Sequence, residues 1–455
     1  MKSHCLSPPD AIVPPLIVRG GSRPVLETDH EVEPQIVKRA GRIRGSAALA
    51  AWQYPSYRRY FWVQALAMGG RSLQTTLVGF IVYDLTGSDF LLGLISFMNM
   101  VPQLILGPVV GVVVDRFDRR LILSIQLSIQ GIGLGVLGVF ALLGWLTVPT
   151  IAATVVIMGV ASAFSYPASS SLLPSLVPIR ALQSAIAVNA MVGNVSRVAI
   201  PAGVGFLVDA TGVAAALLLG IGLYGPAAVL VLMVPLMAAA VRVSTASGPL
   251  EPAARPSVVG DLREAVAYIR ANRMLRAALA NDVVPYLFGM SHTALLPAIA
   301  SSTLGGSAGT LGLLFAVSGA GAMLGTIVAG ALTGRGVRGA TIIAGMVGSG
   351  IGLLVVALSD TRPAIMAGLF VTGLFQMLYI IQNDTLVQTF AEDRFRGRAV
   401  AAQSMVNGLM PIGFLLLGAI AQFTSTAIAF AVAGVMLILA GFWTILLRPV
   451  MRDLR

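Results

Sequence analysis

The chain runs to 455 residues, of which 56% are hydrophobic and only 11% charged, with a mean hydropathy of +0.87, whereas soluble domains carry about 25% charged residues. That composition excludes an ordinary soluble globular protein and implies repeated membrane spans of about 20 apolar residues each. A net charge of +11 suggests nucleic acid in a soluble protein, but here the cations sit in short loops between apolar runs, so no nucleic-acid partner is expected.

Residues 1–56 contain scattered proline and both charge signs, in PPDAIVPPL, ETDHEVEPQ and KRAGRIRG, without a sustained period. They read as a largely disordered cytoplasmic tail, with neither a signal-peptide core nor the acid-poor character of a transit peptide. The single cysteine, Cys5, lies in this tail and permits no intrachain disulfide. Of the three histidines only His292 falls in the apolar body, so neither a cofactor nor a metal site is expected.

Twelve spans follow, at about 60–84, 89–114, 120–143, 148–173, 182–207, 213–238, 275–301, 308–332, 339–358, 364–389, 397–422 and 426–447. They predict an all-α polytopic membrane protein: an N-terminal six-helix bundle over 57–238, a second over 275–447, and a short C-terminal tail over 448–455. The linker, 239–274, is Pro-rich and then places Val258, Leu262, Val266 and Ile269 at helical spacing, as an amphipathic helix on the cytoplasmic membrane surface does.

Of the 30 lysines and arginines, all but three fall on one side of this layout. Arg362 alone is on the other side, and Arg71 and Arg197 lie within spans. The positive-inside rule then puts both termini in the cytoplasm of a multi-pass cell-membrane protein. The halves echo each other: GPVVGVVVDRFDRR after span 2 has a worn counterpart, LGTIVAGALTGRGVRG, after span 8, with Gly334 where Asp115 stands. Two similar halves joined by a long loop favour a transporter over a receptor, and there is no phosphate-binding GxxxxGK[ST] loop to power a primary pump.

The loop Gly111-x-x-x-Asp115-Arg116-x-x-Arg119-Arg120 resembles the signature between spans 2 and 3 of the major facilitator superfamily. YDLTGS (83–88), YPASSSLLPSLVP (166–178), SRVAIPAGVG (196–205), LGLLFAVSGAGAMLG (311–325) and NDTLVQTFAEDRFRGRAVA (383–401) follow in order, and the set resembles the drug and siderophore exporter branch, of the enterobactin-exporter and macrolide-efflux type. The resemblance implies the major facilitator fold, a small-molecule substrate and a monomer rocking in the lipid bilayer between two access states. It also implies a conformational lock between Asp115 and the start of span 11, where Arg396 and Arg398 stand; the arginines of the loop equally serve to hold it in the cytoplasm. In the superfamily loop glycine is usual where this chain has Asp118.

Ionisable residues within spans are costly and so mark function. Asp282 and Asp384 both fall about 10 Å inside the cytoplasmic face at 1.5 Å per helical residue, and with His292 they are the candidates for proton coupling. Asp384 alternatively pairs with Arg394 or Arg398, and His292 alternatively bonds to helix backbone. Spans 1, 4, 7 and 10 line the cavity in the superfamily, which makes Arg71, Gln74, Tyr166, Gln376, Tyr379 and Gln382 candidate substrate contacts. Arg71 suits an anionic or catecholate-like substrate, or else a structural carboxylate. Arg197, Pro201, Gly203 and Gly205 resemble the packing motif of antiporter span 5, with Ile200 where glycine usually precedes the proline. The expected activity is proton-coupled export of small amphipathic molecules; a proton-coupled importer is the alternative, a transport-dead sensor a remote one, and an enzyme is not expected.

Overall fold

A computed structural model describes residues 50–235, 268–332, 338–391 and 396–447. The N-terminal tail, the C-terminal tail, Gly334 and all but the end of the 239–274 linker lie outside the described residues. All described helices belong to one compact unit, Ala48–Arg455.

The first half comprises α1 (Pro55–Thr86), α2 (Asp89–Arg116), α3 (Arg119–Leu142), α4 (Val148–Ala163), α5 (Ser165–Leu172), α6 (Ile179–Thr211) and α7 (Val213–Leu232). Pro55 starts α1 where its missing N–H costs nothing. Gly87, at φ 58°, turns the chain so that the side chain of Ser88 caps α2 by accepting from the Leu91 amide at 3.3 Å. Asp118 caps α3, its Oδ1 accepting from the Arg120 amide at 2.8 Å. The second half comprises α8 (Arg273–Val284), α9 (Ala308–Leu332), α10 (Arg338–Ala357), α11 (Arg362–Phe390), α12 (Arg396–Asn407), α13 (Met410–Phe423) and α14 (Thr426–Leu447).

Three spans expected as continuous helices are interrupted. The fourth bends at Phe164, between α4 and α5. The seventh leaves α8 for a π turn at Pro285–Gly289, a 3-10 turn at Ser291–Leu295 and a second π turn at Ile299–Thr303. Pro285 and Pro297 each remove an amide from the ladder there. The eleventh breaks between α12 and α13, where Gly408 and Pro411 stand. Among the described residues, eleven helical stretches are long and apolar enough to cross a membrane. Helix α1 is not one of them, because RSLQTT occupies its middle.

Apolar side chains of α1–α7 gather about one core, around Leu73, Leu77, Leu134 and Ala216, while α8–α14 build two others, around Leu353 and Phe430 and around Ile342 and Leu386. Ile105, Ile132 and Ile157 are 68%, 64% and 60% exposed, as expected of side chains whose solvent is lipid.

The halves meet along two seams, α2 with α13 and α6 with α9, where glycine lets backbones touch. A Cβ on Gly205 would stand 2.4 Å from Ala308 O, and one on Gly312 2.2 Å from Pro201 O. On the other seam a Cβ on Gly93 would stand 2.4 Å from Phe414 O. Hydrogen bonds between the halves cluster at one end of these seams: Ser88 Oγ to Gln422 Oε1 at 2.7 Å, Thr426 Oγ1 to Asp89 Oδ2 at 3.0 Å, and Ser307 Oγ to Asp209 Oδ2 at 2.5 Å. That end, opposite the Arg116–Arg120 loop, is sealed.

Candidate transport cavity and buried polar network

A cavity of about 250 Å³ lies between the halves, beneath the sealed end. Helix α1 contributes Arg71, Gln74, Thr75, Val78 and Val82, a stripe at helical spacing. The polarity that makes α1 a poor apolar span is thus spent on the cavity wall. Ser96 and Asn99 of α2, Gln126 and Gln130 of α3, and Ser162 and Ser165 at the α4–α5 bend face it from the same half. Thr293, Phe315, Met410 and Phe414 face it from the other. Among the described residues, Arg71 is the one charged residue of the lining, and no carboxylate lines the cavity with it.

The polar wall is partly satisfied. Gln130 Nε2 donates to Met158 O at 3.0 Å and to Ser162 Oγ at 2.5 Å, and Tyr224 Oη donates to Gln74 Oε1 at 3.5 Å. The side-chain carbonyl oxygens of Gln126 and Gln130 are buried without a partner among the described residues, two spare acceptors in a wall that also carries a guanidinium. Such a wall suits a molecule with an anionic group and hydrogen-bond donors on an apolar body.

Of the residues expected to line the cavity, the structure brings together Arg71 and Gln74. Gln376, Tyr379 and Gln382 recur every third residue on α11 and face the interior of the second half: Gln382 Nε2 donates to Ala329 O at 3.2 Å, and Gln376 Nε2 is buried without a partner. Tyr166, on α5, is 80% exposed and outside the lining. His292 is also outside it, 1% exposed, with Nδ1 2.5 Å from Gly289 O and Nε2 unpartnered.

Asp282 and Asp384 meet through one amide. Gln403 Nε2 on α12 donates to Asp282 Oδ2 at 3.2 Å and to Asp384 Oδ1 at 2.8 Å, and Tyr379 Oη donates to Asp282 Oδ1. Asp282 is 1% exposed. Around the pair, Thr444 Oγ1 donates to Asn281 Oδ1 at 2.6 Å and Asn383 Nδ2 to Ala278 O at 3.3 Å. The ion pair found among the described residues is elsewhere, between Arg120 and Asp118.

In the signature loop, Arg119 Nη1 donates to Ser171 O at 2.8 Å and Arg120 Nη1 to Val234 O at 3.3 Å, tying the loop to the ends of α5 and α7. Arg116 is exposed and Gly111 has open space where a side chain would stand. The Arg120 side chain, bonding to Asp118 at 2.9 Å, holds that carboxyl below the usual carboxylate range. The side chains of Asp115, Arg396 and Arg398 lie outside the described residues. In the span-5 motif, Gly205 and Pro201 sit in the α6–α9 seam, Gly319 approaches the carbonyl of Arg197, and Gly203 faces open space.

Gln126, Gln130 and Gln403 were not singled out from the sequence. The signal was there, since Gln126 and Gln130 stand four apart in an otherwise apolar span and so share a face. Asp209, Asp89 and Gln422, at the sealed end, lie near the ends of their helices, where a polar residue carries no signal in the sequence.

A family profile described as transmembrane secretion effector matches residues 46–453. Among curated proteins the chain is 25% identical over 388 residues to the uncharacterized MFS-type transporter y4rN of Sinorhizobium fredii, covering 84% of this chain and 92% of that one. It is 24% identical over 360 residues to macrolide efflux protein A of Streptococcus pyogenes, covering 78% and 86%. Among solved structures a D-xylose–proton symporter matches with a TM-score of 0.68 at 16% identity, covering 88% of this chain and 99% of that one. The nucleoside transporter NupG matches with a TM-score of 0.65 at 13% identity, covering 88% and 100%. Both share the fold. The chain belongs to the transmembrane secretion effector family, and is a multi-pass major facilitator superfamily transporter and not an enzyme.

Proposed function

We propose that the protein is a secondary exporter of the plasma membrane that expels small amphipathic molecules bearing an anionic group, by alternating access coupled to protons. The observation that carries the substrate class is the single guanidinium of Arg71 facing a cavity with unpartnered amide carbonyls and an apolar far wall. Both termini are cytoplasmic in this reading, since the Arg116–Arg120 loop lies opposite the sealed end, and the cavity then opens toward the cytoplasm. Rocking of the halves breaks the two seams and closes the other end, where Asp115 meets the start of α12. The efflux named in the macrolide relatives supports the outward direction.

Coupling is assigned to Asp282 and Asp384. Two carboxylates sharing one amide donor, with no cation paired to either among the described residues, form a site that takes up a proton more easily than it holds two charges. Gln403 carries the state of that site to α12, the helix that the inner lock grips.

The test is accumulation of candidate amphipathic anions and drugs in cells with and without the protein, with an uncoupler as control. Lower accumulation that the uncoupler abolishes is the expected result. Accumulation that rises with the protein overturns the direction, and export indifferent to the uncoupler overturns the coupling.

A further inference from the structure

The two seams end in the same hydrogen-bonding device. On the first, Asp209 near the end of α6 accepts through Oδ2 from Ser307 Oγ at 2.5 Å and from the Gly309 amide at 3.1 Å, an N-terminal amide of α9 with no intrahelical acceptor. On the second, Gln422 near the end of α13 accepts through Oε1 from Ser88 Oγ at 2.7 Å and from the Phe90 amide at 3.3 Å, at the start of α2.

The correspondence is one of internal repeat. The numbering offset that pairs Asp115 with Gly334 also carries Ser88, Phe90 and Gly93 onto Ser307, Gly309 and Gly312. A second constant offset carries Pro201, Gly205 and Asp209 onto Phe414, Gly418 and Gln422. The packing repeats with it: a Cβ on Gly312 would meet Pro201 O at 2.2 Å, and one on Gly93 Phe414 O at 2.4 Å. A Cβ on Gly205 would meet Ala308 O at 2.4 Å, and one on Gly418 Asp89 O at 2.9 Å.

Chemistry distinguishes the two copies. One acceptor is a carboxylate and the other a neutral amide. Asp89 stands in sequence between the two donors Ser88 and Phe90, with Oδ2 bonded to Thr426 and Oδ1 buried without a partner among the described residues, so this copy already carries a carboxylate next to its donors. The residue equivalent to Asp89 is Ala308, so no acid stands at that place in the copy that carries Asp209.

We infer that Asp209 and Gln422 are repeat-related latches of the outer gate, Asp209 the stronger because its charged oxygen meets the positive end of α9, Gln422 the weaker. An ionised acceptor makes bonds roughly twice as strong as a neutral one, and the helix dipole adds to it. The inference rests on the reading that the halves rock, and not on any particular substrate or coupling ion.

The test uses the full chain in its membrane, with Cys5→Ser, a single reporter cysteine and a membrane-impermeant maleimide, added to intact cells for position 308 and to inside-out vesicles for position 75. Ala308, a second-half residue buried in the core of the first half, reports the outer seam as Ala308→Cys; Thr75, exposed in the cavity, reports the inner opening as Thr75→Cys. Asp209→Ala is expected to raise maleimide labelling at 308 by about fivefold or more and to lower it at 75, with Asp209→Asn in between and Gln422→Ala weaker than Asp209→Ala. Gln422→Glu is expected to raise labelling at 308 in the presence of Asp89 and to lower it in an Asp89→Ala background. Unchanged labelling in Asp209→Ala, a larger effect from Gln422→Ala, or a rise at 308 with no fall at 75 overturns the latch. Labelling requires neither substrate nor gradient, so such a result leaves the export reading standing, whereas indifference to the uncoupler leaves the latch standing.

Discussion

Gln403 on α12 donates its side-chain amide to Asp384 on α11 at 2.8 Å, and the same nitrogen reaches Asp282. A polar residue in an apolar span thereby connects the proposed proton site to the helix that begins at the proposed inner lock. Asp282→Asn is expected to abolish the pH-gradient dependence of export while substrate exchange across the membrane persists. Gln403→Leu, which leaves both acids unbridged, is expected to shift the pH profile of transport without loss of the folded protein. Transport by both variants with the wild-type pH profile rejects the assignment.

Arg71 carries the expected recognition of an anion. Removing a charged hydrogen-bond donor from a partly buried contact costs about 1.5–3 kcal/mol, so Arg71→Ala should weaken binding of an anionic substrate by one to two orders of magnitude. Arg71→Lys should recover part of that, since it restores charge but not the planar fork. Binding by scintillation proximity or calorimetry on purified protein decides, and a neutral analogue bound equally by all three proteins is the matching control.

Glycines along α6 and α9 make opposite predictions a few residues apart. A Cβ at Gly312 would sit 2.2 Å from Pro201 O, and backbone cannot yield as a side chain does. Gly312→Val should therefore hold the sealed end open and suppress transport. Gly203 has nothing within 4 Å, so Gly203→Ala should leave transport intact and gain up to about 1 kcal/mol of helix stability. Thermal unfolding and transport rate, measured together, separate the two.

Asp118, between α2 and α3, caps α3 and bonds to Arg120 in its first turn. Its carboxyl is held below the usual range in the folded protein, so the unfolded chain binds a proton more readily, and the stabilisation is present above the unfolded value and lost as pH falls through the lower folded one. Exposure and salt reduce the ion-pair part, leaving mainly the cap, worth about 1 kcal/mol. Asp118→Ala should lower the melting temperature at neutral pH, and the gap to wild type should close below about pH 4.

The sequence by itself determined what depends on local chemistry summed along the chain. Apolar runs marked where the spans lie, though not the breaks within the fourth, seventh and eleventh, the arginines set the expected sidedness, and the ordered motifs pointed to the family, since each is a property of neighbouring residues. Even α1 was legible as a span, although Arg71, Gln74 and Thr75 dilute it. What tertiary structure alone decided is which polar side chains meet. Gln376, Tyr379 and Gln382 share a face of α11, and nothing in their spacing says whether that face turns to the cavity or, as found, to its own half. The breaks in the seventh span arise where prolines and packing compete with the helical ladder, so proline positions mark them without giving their extent. The pairing of Asp209 with Gly309, and of Gln422 with Phe90, joins residues far apart in the chain, and becomes visible only when two glycine-lined helices close to backbone contact.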